Sequence, residues 1–90
     1  MFVIKNRDKI GDVIANSLEN YANNRYPVGE FLQAVLENNF SEAIGRADEN
    51  NLRNIRDINI AVYNYIPSVC WGSPERVHNW LAGHTEVEEE

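Results

Sequence analysis

Apolar residues recur along this chain at steps of three and four, which is the spacing of one helical face. Between 8 and 24 the stripe is Ile10, Val13, Ile14, Leu18, Tyr21 and Ala22. It predicts a first helix capped by Asp8, weakened early by Gly11 and ended by Asn23-Asn24 before Pro27. A second helix is expected over about 28–38, with Phe31, Leu32, Val35 and Leu36 buried and Pro27 near its first turn. Asn39 and Phe40 are read as its end, and Ser41 as the cap of a short third helix over 42–47. A fourth helix starts at Asp48 or Asn50 and stops before Pro67, with Leu52, Ile55, Ile58, Val62, Tyr65 and Ile66 as its apolar side and an Arg53–Asp57 pair on its surface. Ser73 caps a fifth, with Pro74 first and Gly83 as its stop.

Only Phe2-Val3-Ile4 reads as a strand, and one strand is not stable alone. It is expected either to pair with its symmetry mate or to pack as an extended arm. The fold class is therefore all-α: a compact bundle of four or five short helices over 1–83, with a short extended N-terminal arm. An acidic, disordered tail is expected over 84–90. The expected core is Ile14, Leu18, Phe31, Leu32, Val35, Leu36, Ile55, Val62, Ile66, Val77, Trp80 and Leu81. Tyr21 and Tyr26 are expected to cover it with their hydroxyls at the surface.

Ninety residues make one domain. A chain of that length buries only roughly 60–65% of its unfolded surface, which favours a homo-oligomer. Cys70 is the one cysteine, so an internal disulfide is excluded and a reducing cytoplasm is the expected compartment. No h-region follows the apolar start, and Ile60-Ala61-Val62-Tyr63 is as long as any unbroken apolar run, far short of the ~20 residues of a membrane helix. Removing the four acids of Glu86-Val87-Glu88-Glu89-Glu90 from a net charge of −6 leaves −2. Two Lys and six Arg give no basic excess, so nucleic acid is not an expected partner and DNA mimicry has little support. A helix-turn-helix reader would need more cations on one face than Arg53 and Arg56 supply. Thirteen asparagines stand out, and composition gives no reason for them.

Candidate chemistry gathers at three junctions. Arg46 and Asp48 flank the start of the fourth helix, and Arg53 and Arg56 extend a basic strip from there. These could hold an anion, but the favoured reading is that Asp48 caps the helix, filling the place an anion would want, while Arg46 pairs with an acid or a carbonyl. Trp71 and Ser73 set an aromatic ring beside the fifth helix start, suited to a base and its phosphate, or to a capping turn folded over the core. Arg25 and Tyr26 join the first two helices and could line a groove. His78 and His84 have no Cys or carboxylate at metal-binding spacing, so no metal and no cofactor is expected. No nucleophile-elbow, phosphate-loop or zinc-protease motif occurs, so the chain is read as a non-enzyme.

Four segments also carry a resemblance: Arg-Tyr-Pro-Val-Gly-x-Phe-Leu-x-Ala-Val-Leu-x-Asn at 25–38, Arg-Ala-Asp-x-x-Asn at 46–51, Tyr-Asn-x-x-Pro at 63–67, and Cys-Trp-Gly-Ser-Pro-Glu at 70–75. In order and spacing this pattern resembles the small uncharacterised accessory proteins of tailed phages and prophages, over about 20–82. The resemblance implies a phage-encoded protein acting in the host bacterial cytoplasm and carries over no catalytic residue. Such proteins commonly act by binding, which implies a partner that is a host or antiviral-defence protein, or a sequestered signalling nucleotide.

Overall fold

The computed structural model describes residues 1–85, and all regular structure among them is helical. Seven α-helices follow in order: α1 (Arg7–Ile10), α2 (Asp12–Asn24), α3 (Glu30–Leu36), α4 (Phe40–Arg46), α5 (Glu49–Arg53), α6 (Ile55–Tyr65) and α7 (Pro74–Leu81), with a 3₁₀ turn at Ser68–Cys70 before the last. Five helical segments were expected. Two of them are each broken once, and this makes seven.

The first break is at Gly11, whose φ of 85° and ψ of 154° lie in a region that only glycine enters without strain. The helix begins at Arg7, so Asp8 sits in its first turn and does not cap it. Asn6 stands at the cap position but turns its amide away to donate to the Asp57 carbonyl at 3.1 Å, tying α1 to α6. The second break is at Asn54, between Arg53 and Asp57, so the pair expected there does not share a continuous helix.

Asparagine also separates α3 from α4. Asn38 adopts the left-handed conformation (φ 61°), and its N–H and that of Asn39 return to Val35 and Ala34, closing α3. Asn39 then accepts from the Glu42 N–H at 3.3 Å. The cap is thus Asn39, not Ser41, and Phe40 opens α4 instead of ending α3. At α3 the chain is extended at Gly29, so the helix starts at Glu30, two residues later than the periodicity suggests.

The core is built around α3, whose Phe31, Leu32, Ala34, Val35 and Leu36 are all buried, as in a helix covered on several sides. The same core takes in Leu18 and Tyr21 of α2, Ala43 of α4, Ile58 and Val62 of α6, and Val77 and Trp80 of α7. Of the expected core, Ile14, Ile55 and Leu81 are only partly buried. Ile10, Ala22 and Ile58 of the apolar stripes are buried with the rest, as is Cys70, and Ile4, Ala15, Ala34, Ala43 and Ala61 join the core unannounced. Val13 is 79% exposed, because α2 turns Ala15, Leu18 and Ala22 inward and leaves Val13 off that face.

Tyr21 corrects the expectation of a surface hydroxyl. Its side chain is fully buried and its hydroxyl donates to the Cys70 carbonyl at 2.6 Å. The Trp80 indole N–H donates to the Tyr21 carbonyl at 2.7 Å. One residue of α2 thereby holds both the 3₁₀ turn and α7.

The N-terminal arm is extended and packs on the fold. Asn23 of α2 takes the place of a neighbouring strand: its Oδ1 accepts from the Phe2 N–H at 2.7 Å, and its Nδ2 donates to the Phe2 carbonyl at 2.9 Å. One turn earlier, Glu19 accepts from the Ile4 N–H at 2.9 Å and from Arg7 at 3.1 Å. Arg7 also reaches Asp12 and Asn16, so one guanidinium staples α1 to α2. At the other end, His84 donates its N–H to Asn79, and the Thr85 carbonyl accepts from Arg25. These first two residues of the expected tail are therefore tied to the domain; 86–90 lie outside the described residues.

Replacing Tyr21 by Phe strands the Cys70 carbonyl in the core and should cost about 1–3 kcal/mol in urea unfolding. An unchanged midpoint would show that this hydroxyl is dispensable. Gly11→Ala should cost a similar ~1–3 kcal/mol through backbone strain, read the same way.

Candidate functional site

The expected site residues do not form one cluster: Arg25, Arg46, Asp48, Trp71 and Ser73 are engaged where they stand, while Arg53, Arg56 and Tyr26 are exposed. Arg46, at the end of α4, donates through Nε to Glu42 at 2.9 Å and through Nη1 to Glu30 of α3. The hydrogen bond to Glu42, followed by the charge of Glu30, raises the Arg46 guanidinium above its ordinary range, so its charge is permanent but locally balanced. The groove between α3 and α4 encloses about 240 Å³ and is lined by Glu30, Gln33, Glu37, Asn39, Glu42 and Arg46. Three carboxylates against one guanidinium make it an acidic groove, the opposite of a phosphate pocket.

Asp48 caps α5, accepting from the Asn51 N–H at 2.7 Å, and so occupies the position an anion would want. Arg53 and Arg56 are exposed, on either side of the break at Asn54. Ser73 caps α7 by accepting from the Arg76 N–H at 3.2 Å. Arg25 is a structural tie. It adopts the left-handed conformation (φ 57°), which costs a residue with a β-carbon about 1–2 kcal/mol. In that conformation its guanidinium lies 3.7 Å from the Trp80 ring centroid and donates to the carbonyls of Trp80 and Thr85. Stacking of this kind is worth roughly 0.5–2 kcal/mol and offsets the backbone cost. Tyr26 beside it is 59% exposed.

Trp71 is half-buried. Its indole N–H donates to the Ile66 carbonyl at 3.1 Å, and its ring meets Tyr63 edge-on with centroids 6.2 Å apart. The Gly72 N–H donates to the Leu36 carbonyl at 2.7 Å, and Arg76 donates to the carbonyls of Ser68 and Trp71. The Trp-Gly-Ser-Pro turn is thus a fixed corner that carries an accessible aromatic edge.

The sequence reading missed the surface role of Phe40 and Tyr63, which are 68% and 75% exposed. Phe40 and Ile44 are one turn apart on α4, as Asn59 and Tyr63 are on α6. Phe40, Ala43 and Asn59 line one small cleft, so the two rows are adjacent. Tyr63 in turn meets Trp71 at the corner, so exposed rings stand on both α4 and α6. The sequence signal for Tyr63 was its place outside the buried Ile58–Val62 stripe.

A second hollow, about 260 Å³ between α2, α3 and α5, is lined by Ile14, Phe31 and Leu32, with Glu30 as its only charged residue. Among the described residues no group of three or more His, Cys, Asp or Glu side chains could hold a metal ion, and no helix is long and apolar enough to cross a membrane.

Burial pushes the Cys70 thiol up to about 12 against the lesser, opposing pull of Arg25, and burial likewise raises the Tyr21 hydroxyl. Both native groups resist ionisation, so the stability they contribute is complete below the unfolded Cys value of 9.0 and is lost as pH rises toward 12. Unfolding midpoints should fall across that window, and Cys70→Ala should make the fall shallower; an unchanged slope would remove the thiol from this account.

No family model, no curated protein and no solved structure matches this chain.

Proposed function

We propose that this chain is a phage-encoded, non-enzymatic binding protein that inhibits a bacterial host protein, such as an antiviral-defence factor, in the host cytoplasm. The observation that carries the reading is the pair of exposed rings Phe40 and Tyr63, with Ile44 beside the first and Trp71 beside the second, on a domain where Arg46, Asp48 and Ser73 are already engaged. Exposed aromatic rings at fixed positions are the usual anchors of a protein interface. The phage origin rests on the resemblance carried by 25–38, 46–51, 63–67 and 70–75. Self-association is part of the proposal, since the same exposed rings can serve a homo-oligomer.

A second reading, a binder that sequesters a signalling nucleotide, draws on the Tyr63–Trp71 ring pair next to the α7 start. It needs a cation for the phosphate. Arg46 is balanced by two carboxylates, and this weakens the reading.

The test is capture of partners from bacterial lysate by the wild type and by Phe40→Asp and Tyr63→Asp, with native mass spectrometry of the gently purified protein alongside. A specific protein partner lost in both variants at unchanged melting temperature is the expected result. A nucleotide-sized adduct that disappears in Trp71→Ala would favour the second reading, and no partner and no adduct would sink both.

A further inference from the structure

The C-terminal end of α7 places two imidazoles together by means of the backbone. Gly83 adopts φ 77°, its N–H returns to Trp80 at 3.2 Å, and the His84 N–H returns to Asn79 at 2.9 Å. This is the two-bond left-handed helix ending, in which the residue after the glycine folds back over the last turn of the helix. The two side chains that meet there are commonly apolar. Here they are His84 and His78, with ring centroids 6.5 Å apart and planes at 74°. Both residues are exposed.

We propose that His78 and His84 form a two-histidine binding site for a late first-row divalent cation, with Zn²⁺ as the representative ion and solvent completing its coordination. Imidazole suits Zn²⁺, Ni²⁺ and Cu²⁺. Each ring nitrogen would stand about 2.0–2.1 Å from the ion, which needs the rings a little closer than they lie. Side-chain rotation is the movement this requires, since the two cap hydrogen bonds fix the backbone between the two residues. The ordering that binding would otherwise require is thus largely in place. The chain's charge of −6 favours a cation, while Arg25, bonded to the Thr85 carbonyl next to His84, opposes it. No third His, Cys, Asp or Glu joins the pair among the described residues. The site is therefore open, unlike the closed four-ligand cage of a structural zinc.

The test is calorimetric titration of the full-length, untagged chain with Zn²⁺, with imidazole NMR signals read in parallel. One ion per chain, with the signals of His78 and His84 shifting together, is the expected result. His78→Gln and His84→Gln should each weaken binding by roughly tenfold or more. Gly83→Ala keeps both rings but strains the turn that joins them, and it should weaken binding as well. Two results would overturn the proposal: no uptake of Zn²⁺, or uptake undiminished in the double His→Gln variant, which would assign the ion to the acidic stretch 86–90 or elsewhere.

Discussion

Tyr21 is the point on which the packing depends. A phenol buried in the centre of a small domain must find a partner for its hydroxyl, since leaving it unbonded costs about 1–3 kcal/mol. It finds one in the Cys70 carbonyl, and its own carbonyl receives the Trp80 indole. These two bonds connect sequence positions 21, 70 and 80, and so fix the connector after α6 and the last helix against α2. The Leu36 carbonyl, accepting from the Gly72 N–H, holds the same connector to α3. A chain with seven short helices has many ways to collapse, and buried polar contacts of this kind discriminate among them where apolar contacts do not.

The asparagines acquire a reason once the junctions are in view. Asn38 supplies a left-handed residue, Asn39 a cap, Asn54 the break between α5 and α6, and Asn6 a tie between α1 and α6. Asn23 serves as a side-chain substitute for a β-strand. A short side chain with both a donor and an acceptor, tolerant of left-handed backbone, suits all five tasks. These five account for part of the thirteen asparagines.

The same economy explains why the charged candidates make a poor anion site. Arg46, Asp48, Ser73 and Arg25 stand at junctions, and a junction leaves backbone groups and charges that need partners. The fold supplies those partners internally. The exposed rings Phe40 on α4 and Tyr63 on α6 have no such internal role, and this directs functional attention toward them and away from Arg46 and Arg25.

Periodicity and turn chemistry determined the helical class, the five helical segments, the capping roles of Asp48 and Ser73, and most of the buried stripe, because these depend on residues within one or two turns of each other. Tertiary structure decided the remainder. Whether Gly11 merely weakens a helix or breaks it depends on Arg7, Glu19 and Asn23, which hold the arm and α1 in place. Whether Tyr21 is a surface or a core residue depends on a carbonyl forty-nine positions away. The fate of Arg46 depends on Glu30, sixteen positions back on a different helix. Contacts at such separations leave no periodic trace, since they are selected by how the helices pack and not by the spacing within any of them.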